Sequence, residues 1–491
     1  MLHTLLLMGV TGDLAGRYLL PALGALHAAG RLPEDFRILG TSTHDWDDAA
    51  LRRHVAPLLE RHGAALPRSS RDAILESLSH LRLDLRREGG LDGVLDKAGH
   101  SGPLATYLAL PTGAFTNALD RLLNASLADG SRVAIEKPFG DDLQGARALE
   151  QRTRRLIEER GEEAVYLVDF LLGMEPAQNL LTLRRANPLL ELAWRREAIE
   201  RVELHWEETL GLEGRANYFD RAGILRDVVQ NHVMQLLSLV AMELPSNLED
   251  HRALQHARLS AIRAIRPLSA RDIARDTRRA RYSEGVLHGA KPEDPTRPTG
   301  AYVDQEGVDP ARQTETFARL QLWVDNTRWQ GVPFVIRAGK ALSTMRKELV
   351  LHLRPALGYG GAAGASLRIG IGGPKDLSLT LLGRGTDHSG SPQPLTFHAS
   401  PPQGALPAYA RVLDDFLHHG CTHAVVPDEA MAAWELLTPV LDAWARDKVP
   451  METYPAGSNG PRDGLDSNDD RDRAYDFGAA RDVELPELSH P

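Results

Sequence analysis

Two stretches of this chain hold chemistry-bearing residues at informative spacing. The first is Gly9-Val10-Thr11-Gly12-Asp13-Leu14-Ala15, which follows an apolar run and precedes a helix-forming one. Glycines in such a turn let the backbone approach a pyrophosphate, and the helix N-terminus beyond it supplies aligned amide donors. The GxxGxxA spacing is weak by itself, because glycine closes many strand-to-helix turns; its position after a first strand carries the dinucleotide reading. Gly9, Thr11, Gly12, Asp13 and Leu14 are therefore the expected cofactor-binding residues. The second stretch is Arg226-Asp227-Val228-Val229-Gln230-Asn231-His232, where acid, amide and imidazole side chains crowd a segment flanked by apolar residues. A lone histidine on a helix is ordinarily a satisfied core residue. This crowding instead marks the lining of a site, and imidazole is the group that exchanges protons near neutrality. His418, His419 and His423 gather near Cys421, but adjacent histidines on a helix point apart, so no metal site is expected.

A phosphate-binding turn needs a strand before it and a helix after it. The apolar run 4–8 has the length of a buried strand, and helix formers dominate 14–29, interrupted by Gly16, Pro21 and Gly24. Further short buried strands are expected at 37–40, 105–110, 132–135 and 165–168, separated by helical stretches. That alternation implies an α/β protein whose residues 1–168 form a Rossmann-like, doubly wound parallel sheet. Beyond about 175 the pattern changes: 201–207 alternates as a strand, and strand-like runs recur between 319 and 382. Residues 169–455 are expected to form a large α+β domain with a mainly antiparallel sheet. The Pro-, Gly- and acid-rich stretch 292–310 and the Gly/Ala stretch 358–365 read as surface connections, and 456–491 as a polar, acidic, partly disordered tail.

With 491 residues, 42% of them hydrophobic, the chain has material for more than one core. Its 57 basic and 67 acidic residues give a net charge of -10, which argues against nucleic acid as a partner while leaving local phosphate sites open. A single cysteine offers neither an intrachain disulfide nor a thiolate cluster, and points to a reducing cytoplasm. The opening apolar segment is too short for a signal peptide or a membrane span, so no membrane partner is expected.

Rossmann proteins select their cofactor near the end of the second strand, with an acid for the ribose hydroxyl or a basic residue for a 2′-phosphate. Here that stretch is Gly40-Thr41-Ser42-Thr43-His44-Asp45, without an arginine. NAD or NADP is the expected cofactor, with no strong bias to NADP. Arg52 and Arg53 on the next helix either reach in or are surface charges.

With GVTGDLAGRYLLP at 9–21 and EKPFG at 136–140, the chain resembles the glucose-6-phosphate dehydrogenase family. YFDRAGILRDVVQNHVMQ at 218–235, TETFARLQLWVDNTRWQGVPFVIRAGK at 314–340 and YPAGSNGP at 454–461 extend the resemblance over nearly the whole chain. It implies oxidation at C1 of an aldopyranose to the 1,5-lactone, hydride transfer to a nicotinamide, and a homodimer or homotetramer. It also implies roles for single residues. His232 matches the base that removes the C1 hydroxyl proton, and Asp169 the carboxylate that orients it. Asp227 and Glu208 match acceptors for sugar hydroxyls. Lys137, in the EKPFG turn, matches a lysine between cofactor and sugar. In Arg337-Ala338-Gly339-Lys340, Lys340 matches a substrate-side lysine and Arg337 is carried to the cofactor side.

The chain departs from the family pattern where phosphate is read. Against a motif of roughly Asp-His-Tyr-Leu-Gly-Lys-Glu it has Asp169-Phe170-Leu171-Leu172-Gly173-Met174-Glu175, so Phe170 and Met174 line the substrate pocket without donors. Tyr18 stands at a lysine position, Gly370 at a glutamine position, and Thr43 where NADP-preferring members have arginine. Each charge-assisted hydrogen bond is worth about 1.5–3 kcal/mol, so losing two or more weakens a sugar phosphate by orders of magnitude. The expected substrate is thus an aldopyranose without a 6-phosphate. Two alternatives stand beside it. Arg346 or Lys347 restores the lost charge and the activity is ordinary glucose-6-phosphate oxidation, or the chain binds dinucleotide without turnover.

Overall fold

In the computed structural model, which describes residues 1–86, 91–289, 295–355, 364–372, 376–384, 392–401, 404 and 406–461, the run Thr4–Met8 is buried throughout and lies between two parallel neighbours. Its side chains divide between two cores. Leu6 and Met8 pack with Leu108, Ile135 and Leu167, whereas Leu5 and Leu7 pack with Ile38, Tyr107 and Tyr166. A strand buried on both faces must be apolar throughout, which is why this run lacks alternation.

Six strands lie parallel in the order Leu78–Arg82, Arg37–Ser42, Thr4–Met8, Ala105–Leu108, Arg132–Glu136 and Val165–Val168. The order reverses between Thr4–Met8 and Ala105–Leu108, and the glycine turn stands at that switch point. The expected parallel sheet is therefore present, with shifted ends: the second strand runs on to Ser42 and the fourth stops at Leu108. Leu78–Arg82 escapes the sequence reading because its LSHLR pattern buries only alternate residues, as suits a sheet edge. The helix expected at 14–29 forms as a π-helical turn Ala15–Leu19 that runs straight into an α-helix Leu20–Ala28, with Pro21, which has no N–H to give the preceding turn, just after the π-helical residues. A seventh strand, Ala424–Val425, pairs antiparallel with Val165–Val168. Helix Ala408–Leu417 packs Leu413, Phe416 and Leu417 into the Leu5 core, and Arg132 donates to the carbonyls of Phe416 and Gly420 at 2.7 and 2.8 Å. Residues 408–425 thus return to the first sheet from within the stretch 169–455.

The second sheet has nine strands, in the order Pro392–Ala399, Leu377–Arg384, Ser366–Gly372, Arg346–Leu353, Ile199–Glu207, Pro333–Gly339, Phe317–Trp323, Thr277–Ser283 and Met451–Pro455. Ile199–Glu207 runs parallel to Pro333–Gly339, and Thr277–Ser283 to Met451–Pro455; the other pairings are antiparallel. The mainly antiparallel second domain is as expected. Residues 456–461, assigned from sequence to a loose tail, are built into it: Gly457 N–H donates to Ala341 at 2.7 Å and Ser343 N–H to Ser458 at 2.8 Å. The rest of that tail, 462–491, and parts of 292–310 and 358–365 lie outside the described residues. Among the described residues no helix is long and apolar enough to cross a membrane.

The segment carrying His232 is a π-helical stretch, Leu225–Val233, continued by the fully buried helix Met234–Ala241. Glu429, on helix Pro427–Ala445, supports it from behind. Its carboxylate accepts from the buried Arg258 guanidinium at 3.2 Å and from Gln235, one turn beyond His232; burial pushes the carboxyl up against the pull of both donors. Replacing Glu429 with Ala leaves Arg258 charged and buried without its counterion. A loss of about 3–5 kcal/mol in urea unfolding at unchanged m is expected; a midpoint close to wild type would show that the pair is dispensable.

Candidate active site

The glycine turn has the form a pyrophosphate requires. Gly9 has φ +88°, and a Cβ there would meet the Ala109 carbonyl oxygen at 2.3 Å, so only glycine fits between the first and fourth strands. Gly9 and Val10 donate to Thr41, Gly12 donates back to Gly9 at 2.9 Å, and the helix starts at Asp13. The structure gathers Gly9, Thr11, Gly12, Asp13 and Leu14 into one glycine turn that opens a helix, a fit for a dinucleotide phosphate. Thr43 is exposed just beyond the second strand. Arg52 does not reach toward it: its guanidinium donates to the carbonyls of Leu78 and Glu76 at 2.9 and 3.1 Å. Arg82 lies 3.5 Å from Asp45, and His44 stacks on Trp46 at 4.3 Å.

Asp169 immediately follows the strand Val165–Val168 and His232 lies in the π-helical stretch, so the two domains meet at this pair. Their Nδ1 and Oδ1 atoms are 2.6 Å apart, and Asp169 has no exposed surface. Since a carboxylate only accepts, Nδ1 carries the hydrogen, and in the neutral ring Nε2 then presents a lone pair. Asp169 Oδ1 also accepts from Leu171 N–H at 3.0 Å. Trp206 stacks on the imidazole at 5.2 Å and 22°, and Phe170 meets it edge-on at 4.7 Å. The ring is thus held by one bond and two aromatic walls. Among the described residues no hydrogen bond is made by Nε2.

Three lysines and two carboxylates surround the pair. Lys137 Nζ reaches Asp227 Oδ1 at 2.9 Å and its carbonyl at 3.0 Å; Tyr218 adds a bond to the same carboxylate at 3.1 Å. Burial opposes charge on both partners, yet their mutual attraction wins, holding the Lys137 ammonium above its ordinary range and the Asp227 carboxyl below. Glu208 takes Lys340 on one oxygen at 2.6 Å and Lys347 on the other at 2.7 Å. Although burial would raise it, those two ammonium groups keep the Glu208 carboxyl well below the usual range. Five elements converge here: the end of Arg132–Glu136, the π-helical stretch, and the ends of three neighbouring strands, Pro333–Gly339, Ile199–Glu207 and Arg346–Leu353.

Comparison with known proteins follows the same division. Residues 6–179 match the family described as "Glucose-6-phosphate dehydrogenase, NAD binding domain", and residues 181–476 that described as "Glucose-6-phosphate dehydrogenase, C-terminal domain". The chain belongs to the glucose-6-phosphate dehydrogenase family. A glucose-6-phosphate 1-dehydrogenase of Gluconobacter oxydans is 36% identical over 470 residues, covering 93% of this chain and 94% of that protein. One from Treponema pallidum is 33% identical, over 94% of this chain and 92% of its own length. A solved glucose-6-phosphate dehydrogenase in complex with glucose 6-phosphate superposes with TM-score 0.81 at 27% identity, over 97% of this chain and 98% of that one. By family the chain is an NAD(P)-dependent sugar dehydrogenase, and its cofactor is NAD or NADP.

Within this glucose-6-phosphate dehydrogenase fold, most of the expected site residues come together: Phe170, His232 and Asp169 form one contact group, Lys137 and Asp227 a second, and Glu208 and Lys340 a third, with Asp227 feeling the charges of both His232 and Lys340. Met174 caps the helix Glu175–Ala186 on the same turn as Phe170. Arg337 is the exception. Its side chain donates to Glu207 at 2.9 Å and to the Asn459 carbonyl at 2.9 Å, inside the second sheet. The structure does not bring it to the glycine turn, because strand alternation turns it to the Glu207 face. Three contributors went unread in the sequence. Trp206 lies two residues before Glu208, and alternation along that strand would have put both on one face. Tyr409 stacks on Phe170 at 5.8 Å and arrives from a remote helix with no local signal. Glu315 accepts from Leu225 N–H at 2.9 Å and its carbonyl from Ile224 N–H at 3.1 Å, fixing the start of the π-helical stretch beside Gly223 at φ +68°.

Replacing His232 with Ala should lower kcat by about 10²–10⁴-fold, the usual worth of a positioned proton acceptor, while dinucleotide affinity stays close to wild type. Turnover near the wild-type rate would remove His232 from the chemistry. Glu315→Ala frees the turn that aims it, so kcat should fall with KM little changed; equal falls in thermal midpoint and in active-site titre alone would mark a folding role.

Proposed function

We propose that this chain oxidises C1 of glucose 6-phosphate to the 1,5-lactone, with hydride transfer to NAD or NADP. The observation that carries the reading is the buried His232–Asp169 pair, 2.6 Å apart, with Nε2 left unengaged. Bound NAD or NADP supplies the hydride acceptor. His232 Nε2 accepts the C1 hydroxyl proton as the C1–H bond gives up its electron pair, and Asp169 holds the ring in the tautomer that can do so. Asp227 and Glu208 receive sugar hydroxyl donors, their charges fixed by Lys137 and by Lys340 with Lys347. Lys137 stands at the end of a first-sheet strand and touches a second-domain carboxylate, which suits it to lie between cofactor and sugar. Gly9, Thr11, Gly12, Asp13 and Leu14 are assigned to the cofactor phosphates. The phosphorylated sugar is favoured over the unphosphorylated one expected from sequence because relatives named for it align over almost the entire chain. We further assign the protein to the cytoplasm, as its single cysteine suggests, and to a homodimer or homotetramer, as the family resemblance implies.

A second reading keeps support from one observation. Phe170, edge-on to His232 and stacked on Tyr409, and Met174 offer no donor to a phosphate, and Tyr18 rests against Tyr409 at 5.5 Å. Such a wall suits a free hydroxymethyl or deoxy carbon. Steady-state kcat/KM for free and phosphorylated aldoses, each with NAD and with NADP, separates the two. Glucose 6-phosphate should give the highest value; a higher one for an unphosphorylated aldose would transfer the proposal to that sugar. NAD should serve at least as well as NADP, since Thr43 offers no guanidinium to a 2′-phosphate. A large NADP advantage would identify another basic reader, with Arg82 the first to replace.

A further inference from the structure

If segment 170–174 offers no cation, the substrate's phosphate must be met elsewhere. Arg346 and Lys347 are adjacent on the strand Arg346–Leu353, so alternation sends them to opposite faces. Arg346 stands across from Glu207 and is engaged with Glu207 at 3.0 Å and with His205 at 2.8 Å, on the face away from the imidazole. Lys347 stands across from Trp206, the residue stacked on His232, and its ammonium lies 4.7 Å from the Trp206 ring centre. Its stem is fitted to that course. The register shifts between Lys347 and Glu348, and on the other neighbouring strand Lys347 pairs with Gly372, where a Cβ would press on the lysine Cδ at 3.1 Å. A bulge, an indole and a glycine therefore steer one lysine toward the site.

Among Lys340, Lys347 and Glu208 the charges do not cancel, although Asp227 also attracts Lys340. Lys340 and Lys347 share the single carboxylate of Glu208, which leaves these three groups with an excess of one positive charge. Each ammonium has three N–H donors, and the structure gives Lys347 one oxygen acceptor, at 2.7 Å. A neutral sugar gains nothing from that excess, whereas a dianionic group is stabilised by it. We propose that Lys347, with Lys340 beside it, receives the phosphate of the sugar substrate in place of the segment 170–174. This rests on the reading of the chain as a glucose-6-phosphate dehydrogenase.

The test compares wild type, Lys347→Met and Lys347→Arg on glucose 6-phosphate and on free glucose at saturating NAD, with thermal unfolding to verify folding. In Lys347→Met the ratio of kcat/KM for glucose 6-phosphate over that for glucose should fall by about 10- to 100-fold, the worth of one charge-assisted hydrogen bond. Lys347→Arg, which keeps the charge, should retain most of the ratio. Equal losses on both sugars would overturn the proposal, showing that Lys347 only neutralises Glu208. Wild type without activity on glucose 6-phosphate would overturn the functional reading and this inference together, whereas an active wild type with an unselective Lys347→Met removes this inference alone.

Discussion

Burying a carboxylate is tolerable only where fixed donors meet it, and Asp169, without exposed surface, is met from two directions at Oδ1, while its Oδ2 has no hydrogen-bond partner among the described residues. The Leu171 amide comes from its own turn and the His232 imidazole from the second domain. That requirement governs how the domains join. Asp169 follows the last parallel strand, so the end of the first sheet must abut the π-helical stretch. Lys137, at the end of the neighbouring strand, makes the same crossing to Asp227. Two charged pairs thus span the boundary, and the site exists only where both are made. Support spreads outward from there: Glu315 fixes where the stretch begins, and Glu429 with Gln235 holds the turn that follows.

The strand Ile199–Glu207 separates two kinds of electrostatics. On one face Glu203, His205 and Glu207 interlock with Arg337 and Arg346, a buried network in which Glu207, despite burial, is held far below the ordinary carboxyl range by those guanidinium groups. On the other face Trp206 and Glu208 look toward the imidazole. A one-residue slip in register would exchange the faces and put Glu207 and its arginines against the sugar. Pairing on both sides, with Pro333–Gly339 parallel and Arg346–Leu353 antiparallel, fixes the register against such a slip.

What the sequence disclosed follows from how local each signal is. The apolar run 4–8 and the glycines after it dictate strand and turn by themselves, and both formed where the pattern put them. The crowd of polar residues at 226–232 marked the site because polar groups inside an apolar helix need a reason. Other features depend on partners distant in the chain. Tyr409, the edge strand Ala424–Val425 and the ordered residues 456–461 are placed by contacts with elements hundreds of residues away, and nothing in their own composition announces it. Arg337 shows the opposite failure: it stands in a recognisable motif, yet the face it takes is set by alternation rather than by the motif.

The replacements at 170 and 174 have a physical consequence beyond lost donors. Phe170 lies edge-on against His232 and is stacked on Tyr409, and Tyr409 in turn bonds Glu136, whose carboxyl is raised by burial to about 7 against the pull of Tyr107 and Lys137. An aromatic layer therefore closes one side of the imidazole, where a histidine and lysine of the family pattern would admit water with their charges. Excluding that water lowers the local dielectric and strengthens the His232–Asp169 bond. Trp206, with the Lys347 ammonium against it, covers another side of the ring. The ammonium groups of Lys340 and Lys347 thus stand together on the Glu208 side, whereas beside the turn 170–174 the Arg411 guanidinium is engaged with the Gly173 carbonyl and lies near Glu175.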